Sequence, residues 1–275
     1  MNRTLIIVPG LLAAVASTAA ARPRSLAEQP AVRHRYELRD QRLEIAPTFE
    51  VSVAADFKHT LSGGLKLEYH LTDTLSIGAL GFFGTSVNTG LLDQIVTSLP
   101  AAPDDELTPS QAQALEHAND IPIHGGVGLT FTPWFGKMGL FGRAFLSYDV
   151  YFSGGFGFAM TENDFSGEDD VTVCDARCDD ATATPTQMNT DPRNDGPHNA
   201  GFNPGVQFGG GLHIYFSGWA ALDLYLRDYM FTDNPSGFDN TFDKAVTDDD
   251  RSFSSHLFVG VGLSLFVPPR PKISR

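Results

Sequence analysis

Between Leu43 and Val267 the chain alternates apolar and polar side chains with a period of two, in eight separate segments. No other feature restricts its fold as strongly. Successive residues of a strand point to opposite faces, so such alternation describes a sheet with one apolar and one polar face. The segments fall at about 43–57, 61–71, 75–85, 122–132, 138–152, 202–216, 219–231 and 253–267. In the first, Leu43, Ile45, Phe49, Val51 and Val53 oppose Glu44, Thr48, Glu50, Ser52 and Asp56. In the last, Leu257, Val259, Val261, Leu263, Leu265 and Val267 oppose His256, Gly260, Gly262 and Ser264. Each segment is long enough to cross a bilayer when tilted, and an even number returns both termini to one side.

The connections alternate too. Those expected at 72–74, 133–137 and 217–218 are short, those at 86–121, 161–201 and 232–252 are long, and the hairpin near 58–60 is a short exception. Short turns at one end and long loops at the other form the pattern of outer-membrane barrels. A soluble barrel of the lipocalin kind alternates as well, with its apolar face inward. Three features decide between them. The polar face is mostly Gly, Ser and Thr, where a water-facing surface would carry many more Lys and Glu. Trp134, Trp219 and Tyr69 fall beside the short turns, and Phe57, Phe83, Phe152, Tyr229 and Phe231 fall at the opposite ends, as two interfacial girdles. Charge is segregated: the three long loops hold 22 of the 33 acidic residues, while 22–42 and 268–275 are rich in Arg and Lys.

The N-terminus carries Arg3, then an apolar run from Leu5 to Ala16, then the small residues Ser17 to Ala21. This reads as a secretory signal peptide cut after about Ala21. The expected organisation is a signal peptide at 1–21, a periplasmic segment at 22–42, the barrel at 43–267 and a periplasmic tail at 268–275. The fold class expected is all-β: an eight-stranded antiparallel up-and-down transmembrane β-barrel with short periplasmic turns and three long acidic extracellular loops. A net charge of −14 argues against nucleic acid as a partner. Outer-membrane lipid and lipopolysaccharide are the expected surroundings.

Several segments resemble a known family. They are Phe135 to Gly142, Phe202 to Leu212, Trp219 to Tyr229 and the closing Val259 to Pro268. Together they resemble the small outer-membrane β-barrel proteins of myxobacteria and related bacteria, over most of the mature chain. The resemblance implies fold and location and no particular activity. Gly260 to Leu265 also looks like the signal by which the barrel-assembly machinery recognises its clients, although the chain continues beyond that strand to Arg275.

Eight strands leave an interior that side chains fill, so an open pore is not expected. Glu50, Lys66, Glu68, Arg143, Asp149, Asp223 and Arg227 fall on the inward face. In a dry lumen such charges must pair, which makes them either a structural ion-pair network or a path for protons or ions. His70, His124, His213 and His256 share that face, as hydrogen-bonded lumen groups or as parts of a metal or hydrolase site. No cofactor is expected. In the loops, Glu168, Asp169, Asp170, Asp175, Asp179 and Asp180, and Asp248 to Asp250, are dense enough in carboxylate to attract Ca²⁺ or Mg²⁺, although no EF-hand spacing occurs. Cys174 and Cys178 are placed to pair as a short-range disulfide in an oxidising compartment. Leu107 to His117 reads as a short helix, with Thr108 as N-cap.

Three functional readings follow: a non-enzymatic barrel with a structural or surface-interaction role, a membrane-embedded enzyme acting on lipid, and a narrow transporter of small or apolar solutes. A Ser/His pair at the rim would favour the second, and a continuous lumen the third. The first is the reading preferred, so the chain is expected not to be an enzyme.

Overall fold

The computed structural model describes residues 39–101, 110–140, 144–163, 201–238 and 248–269. Eight strands follow in order: β1 (Leu43–Val53), β2 (Lys58–His70), β3 (Leu75–Asn88), β4 (Asp120–Leu140), β5 (Ala144–Glu162), β6 (Gly201–Ser217), β7 (Ala220–Asp233) and β8 (Ser252–Val267). Each pairs antiparallel with its sequence neighbours, and β1 also pairs with β8, so the sheet closes and has no edge. The fold is an eight-stranded antiparallel all-β up-and-down barrel.

Its polarity is the inverse of a water-soluble barrel. Along β4, Val127, Leu129 and Phe131 are 54%, 52% and 51% exposed, while the intervening Thr130 is 4% exposed. The same phase holds along β1, where Glu44 and Glu50 are fully buried and Phe49 is 49% exposed. The apolar face therefore points outward and the ionisable face inward.

Several boundaries differ from those read in the sequence. The first hairpin turns at 54–57, not 58–60, with Ala54 at φ 59, and Asp56 is exposed in that turn. The segment 133–137 is not a turn: β4 runs through it to Leu140, paired with β5 down to Leu140 and Ala144. A register shift between Phe131 and Trp134 absorbs Pro133, whose missing N–H would otherwise cost a ladder bond. β5 continues ten residues past its expected end, to Glu162. Tyr229 and Phe231 are not girdle residues. Both are nearly fully buried and point into the lumen, because they share the phase of Asp223 and Arg227. Phe152 is outward but lies in mid-strand, opposite Phe131 and Gly210. Trp134 and Trp219 stay on the outside near the turn end, 61% and 50% exposed.

The β3–β4 connection carries α1 (Gly90–Ser98) and α2 (Gln111–His117). The α1 helix has no counterpart in the sequence reading, although Thr89 is a sound N-cap, accepting from the Leu92 N–H at 3.3 Å. The α2 helix is the end of the expected helix; the expected start at Thr108 lies outside the described residues, as do Arg143, Cys174, Cys178, Glu168 to Asp180 and the whole of 1–38. Asp250, by contrast, is buried within the short 3₁₀ turn Asp248–Asp250.

Candidate functional site in the lumen

Register builds the site. Asp149 on β5 lies opposite His213 on β6, and His213 lies opposite Asp223 on β7. All three face inward, so three consecutive strands contribute one ionisable belt. On the far side of the barrel, Glu44 lies opposite Glu68 across β1 and β2. Two carboxylates side by side repel unless a cation stands between the walls. Lys66 supplies it: its Nζ is 2.9 Å from Glu44 Oε1 and 2.7 Å from Asp223 Oδ2.

The carboxylate oxygens of Glu44, Asp223 and Asp149 are engaged as well. Ser264 Oγ donates to Glu44 Oε1 at 2.6 Å, and His70 Nε2 stands 3.1 Å from Glu44 Oε2. Tyr151 OH donates to Asp223 Oδ1 at 2.8 Å. His213 Nδ1 donates to Asp149 Oδ1 at 2.9 Å, and Tyr215 OH donates to Asp149 Oδ2 at 2.6 Å. Arg39, from the segment before β1, enters the turn end of the lumen and brings Nη1 to 3.4 Å from Asp149 Oδ2. Its backbone N–H donates to Asp73 Oδ1 in the β2–β3 turn at 2.8 Å, which fixes where the guanidinium goes.

A second cluster lies nearer the loop end. Glu50 receives His124 Nε2 at 2.6 Å and Tyr225 OH at 2.8 Å. Above it the lumen is aromatic. His124 stacks between Phe82 and Phe258, at centroid separations of 5.1 and 4.7 Å, with Tyr229 edge-on to both His124 and Phe258. Phe231 stacks on His256 at 4.2 Å. Between the clusters, Thr130 Oγ1 donates to Glu68 Oε1, and Arg227 lies over the Tyr225 ring at 4.8 Å.

Of the residues named from the sequence, Glu50, Lys66, Glu68, Asp149, Asp223 and Arg227 are all buried in the lumen, and Arg143 lies outside the described residues. Glu50 belongs to the upper cluster; Lys66, Asp149 and Asp223 belong to the lower one. The sequence reading puts Tyr225 on the inward face with Asp223 and Arg227 but passes over Tyr151 and Tyr215, although each has the inward phase of its strand. It also passed over Phe82, Phe258 and Phe266, which are apolar residues on the polar face. Arg39 precedes the alternating segments, and nothing in its neighbourhood marked it.

The chemistry open to this arrangement is limited. Glu44, His213 and Asp223, and Glu44, Glu68 and His70, bring ligand atoms within 4.8 Å of one another, as a metal centre would require. In the first group the ammonium of Lys66 already bridges both carboxylates and supplies the positive charge. At the loop end, Ser254 Oγ lies 3.4 Å from His256 Nε2, and Asp233 Oδ2 lies 3.9 Å from the same Nε2. A nucleophile–base–acid relay needs the hydroxyl and the carboxylate on different ring nitrogens. Here one nitrogen faces both, and the relay is not assembled.

No protein-family model matches the chain, and no curated protein sequence matches it. Among solved structures it is similar to a protein reported as a de novo designed transmembrane β-barrel, at 9% identity over 84% of this chain and 99% of that one, with a TM-score of 0.33. It is also similar to the outer membrane protein OprG from Pseudomonas aeruginosa, at 10% identity over 83% of this chain and 94% of that one, with a TM-score of 0.35.

Proposed function

We propose that the chain is an outer-membrane β-barrel whose role is structural or interactive at the cell surface, and that it neither conducts solutes nor modifies lipid. One observation carries the reading: the described side chains of the lumen interlock, and a cavity among them, lined by Lys66, Glu68, Gln207 and Arg227, measures about 10 Å³, roughly one water molecule. The aromatic storey around His124 stands between the ionisable clusters and the loop end. A transporter would need a continuous path through both. An enzyme would need a relay that the Ser254–His256–Asp233 geometry does not supply.

On this reading the signal peptide is removed on export and the barrel-assembly machinery inserts the chain. The turn end then faces the periplasm, with 22–42 and 268–275. The loop end faces the medium, where its carboxylates meet lipopolysaccharide and the divalent cations that accompany it. The inverted polarity of the barrel supports the membrane setting. The resemblance of Phe202 to Leu212 and Val259 to Pro268 to the small barrels of myxobacteria points the same way.

Two assays on the refolded protein test this. In planar bilayers, no discrete conductance steps are expected at any holding voltage. With lipopolysaccharide and phospholipid as substrates, no acyl chain is expected to be released or transferred. Stepwise conductance would sink the closed-barrel reading, and turnover of lipid abolished by His256→Ala would replace it with the enzyme.

A further inference from the structure

We infer that the lumen contains a built site for a single water molecule, held by Glu68, Gln207 and Arg227, which joins the two ionisable clusters into one network.

The register makes the space. Reading round the barrel from Glu68, the inward positions in line are Gly78, Gly128, Gly155 and Gln207. Three consecutive glycines leave the wall without side chains between a carboxylate and a carboxamide. A Cβ at Gly78 would stand 2.5 Å from Glu68 Cγ, and one at Gly128 would stand 2.6 Å from the Gly154 carbonyl oxygen. The cavity of about 10 Å³ lies here, lined by Glu68, Gly78, Gly128, Gln207 and Arg227 among others.

The polar atoms around it are complementary to water and to little else. Glu68 Oε2 and Gln207 Oε1 are buried acceptors with no hydrogen-bond partner, and Arg227 Nε and Nη1 are buried donors with none. One water satisfies three of these four groups, by donating to both oxygens and accepting from the Arg227 Nε–H, while Nη1 points to the other side of the guanidinium. A metal cation would meet two oxygens but face the Arg227 guanidinium and Lys66. An anion would meet the guanidinium but face the Glu68 carboxylate. The volume also excludes anything larger than a water. Glu68 and Arg227 form no direct ion pair, while Arg227 is fixed over Tyr225, which donates to Glu50. Glu68 stands beside Glu44 and so beside the Lys66 bridge. The water therefore connects the Glu44–Lys66–Asp223 cluster to the Glu50–His124 cluster.

Water itself is the probe. In ¹⁵N-labelled protein refolded in micelles, the Arg227 Nε–H is expected to show a cross-peak at the water frequency whose sign differs between NOE and ROE spectra. That sign change marks a water held longer than nanoseconds and distinguishes it from proton exchange, which gives the same sign in both. Gln207→Leu removes one acceptor and fills the space with methyl groups. The peak should then vanish while the barrel still shows heat-modifiable migration on a gel. A resolved Arg227 Nε–H with no water cross-peak in the unaltered protein overturns the proposal, as does a peak that survives Gln207→Leu unchanged. Neutron diffraction from a deuterium-exchanged crystal reads the same position independently. D₂O density between the three side chains supports the site, and an empty cavity or a direct Glu68–Arg227 contact overturns it.

Discussion

Lys66 on β2 reaches across the lumen to Asp223 on β7, with Nζ 2.7 Å from Oδ2, and the same ammonium also holds Glu44 on β1 at 2.9 Å. One cation thus ties three strands that meet nowhere along the sheet except through the β1–β2 ladder. Its removal takes away the one ammonium between two buried carboxylates, leaving Glu44 to His70 and Ser264 and Asp223 to Tyr151, with His213 beside both. Breaking a buried pair by deleting one partner costs about 3–5 kcal/mol. Lys66→Met is therefore expected to lower unfolding stability by that order. Asp223→Asn should cost less, because Lys66 retains Glu44 and the amide can still accept from Tyr151. Urea unfolding in lipid vesicles, followed by the fluorescence of Trp134 and Trp219, measures both. Equal losses for the two variants would show that Lys66 is not the shared cation of the cluster.

Backbone approach between β4 and β5 sets a second test. A Cβ added at Gly155 would lie 2.2 Å from the Val127 carbonyl oxygen and 2.4 Å from Gly128 Cα, both backbone atoms that cannot yield cheaply. A Cβ at Gly81 meets nothing within 4 Å. Overpacking a filled interior costs about 1–3 kcal/mol. Gly155→Ala is expected to lose at least that much, and Gly81→Ala to stay within about 0.5 kcal/mol of the parent. Similar effects at both positions would mean that the inward glycines do not set the spacing of the barrel wall.

The contrast between these glycines shows where the sequence was readable. Alternation identified each strand and its inward phase, and it therefore placed Glu50, Lys66, Glu68, Asp149, Asp223 and Arg227 on one face. It could not pair them, because contacts such as Lys66 to Asp223 depend on the stagger of strands far apart in the chain. The same phase would have put Tyr151, Tyr229 and Phe231 in the lumen. The aromatic character of Tyr229 and Phe231 argued for an interface instead, and composition overrode position. The β4–β5 hairpin was cut short at Pro133 to Lys137 because Pro and Gly usually end strands; here a bulge keeps the ladder going to Leu140. Arg39 stands outside any periodic segment, and its place in the lumen depends on a turn residue, Asp73.

The loop end should respond to pH through His117. Its ring stacks on Phe238 at 4.8 Å, and its Nδ1 donates to the Gly237 carbonyl oxygen at 3.3 Å. Burial depresses its pKa below the ordinary value of 6.5, outweighing the Gly237 hydrogen bond, which acts the other way. The folded state then binds fewer protons than the unfolded one. The docking of α2 on the β7–β8 connection is complete above about pH 6.5 and weakens as pH falls below it. As pH falls from 7 to 5, amide exchange at Asn119, whose N–H donates to the Pro235 carbonyl oxygen, should slow less than the intrinsic base-catalysed rate does. His117→Phe keeps the stacking and should return Asn119 exchange to the intrinsic slope. Gly237, at φ 70 with its Cβ position 2.1 Å from the His117 carbonyl oxygen, should not accept Ala without undocking the connection at every pH.

The setting of the barrel turns on its outer face. Leu226 lies at the middle of β7, paired with Val259 and Gly210, and is 48% exposed. In water, replacing such a residue with Arg would cost almost nothing and would improve solubility. In a bilayer the same side chain sits at the hydrocarbon midplane, where Arg on the lipid face of a barrel costs about 2–4 kcal/mol. Leu226→Arg is therefore expected to destabilise the protein by that amount in vesicles. Val267→Arg, at the turn-end terminus of β8, should cost about 1 kcal/mol or less, because the cost falls towards the interface. The depth profile carries the argument more than either value. A soluble barrel with the same exposed leucine would show no dependence on height, since water surrounds it at every level. Equal, small effects at Leu226 and Val267 would remove the membrane from the account, and a steep difference between them would locate its midplane on β7.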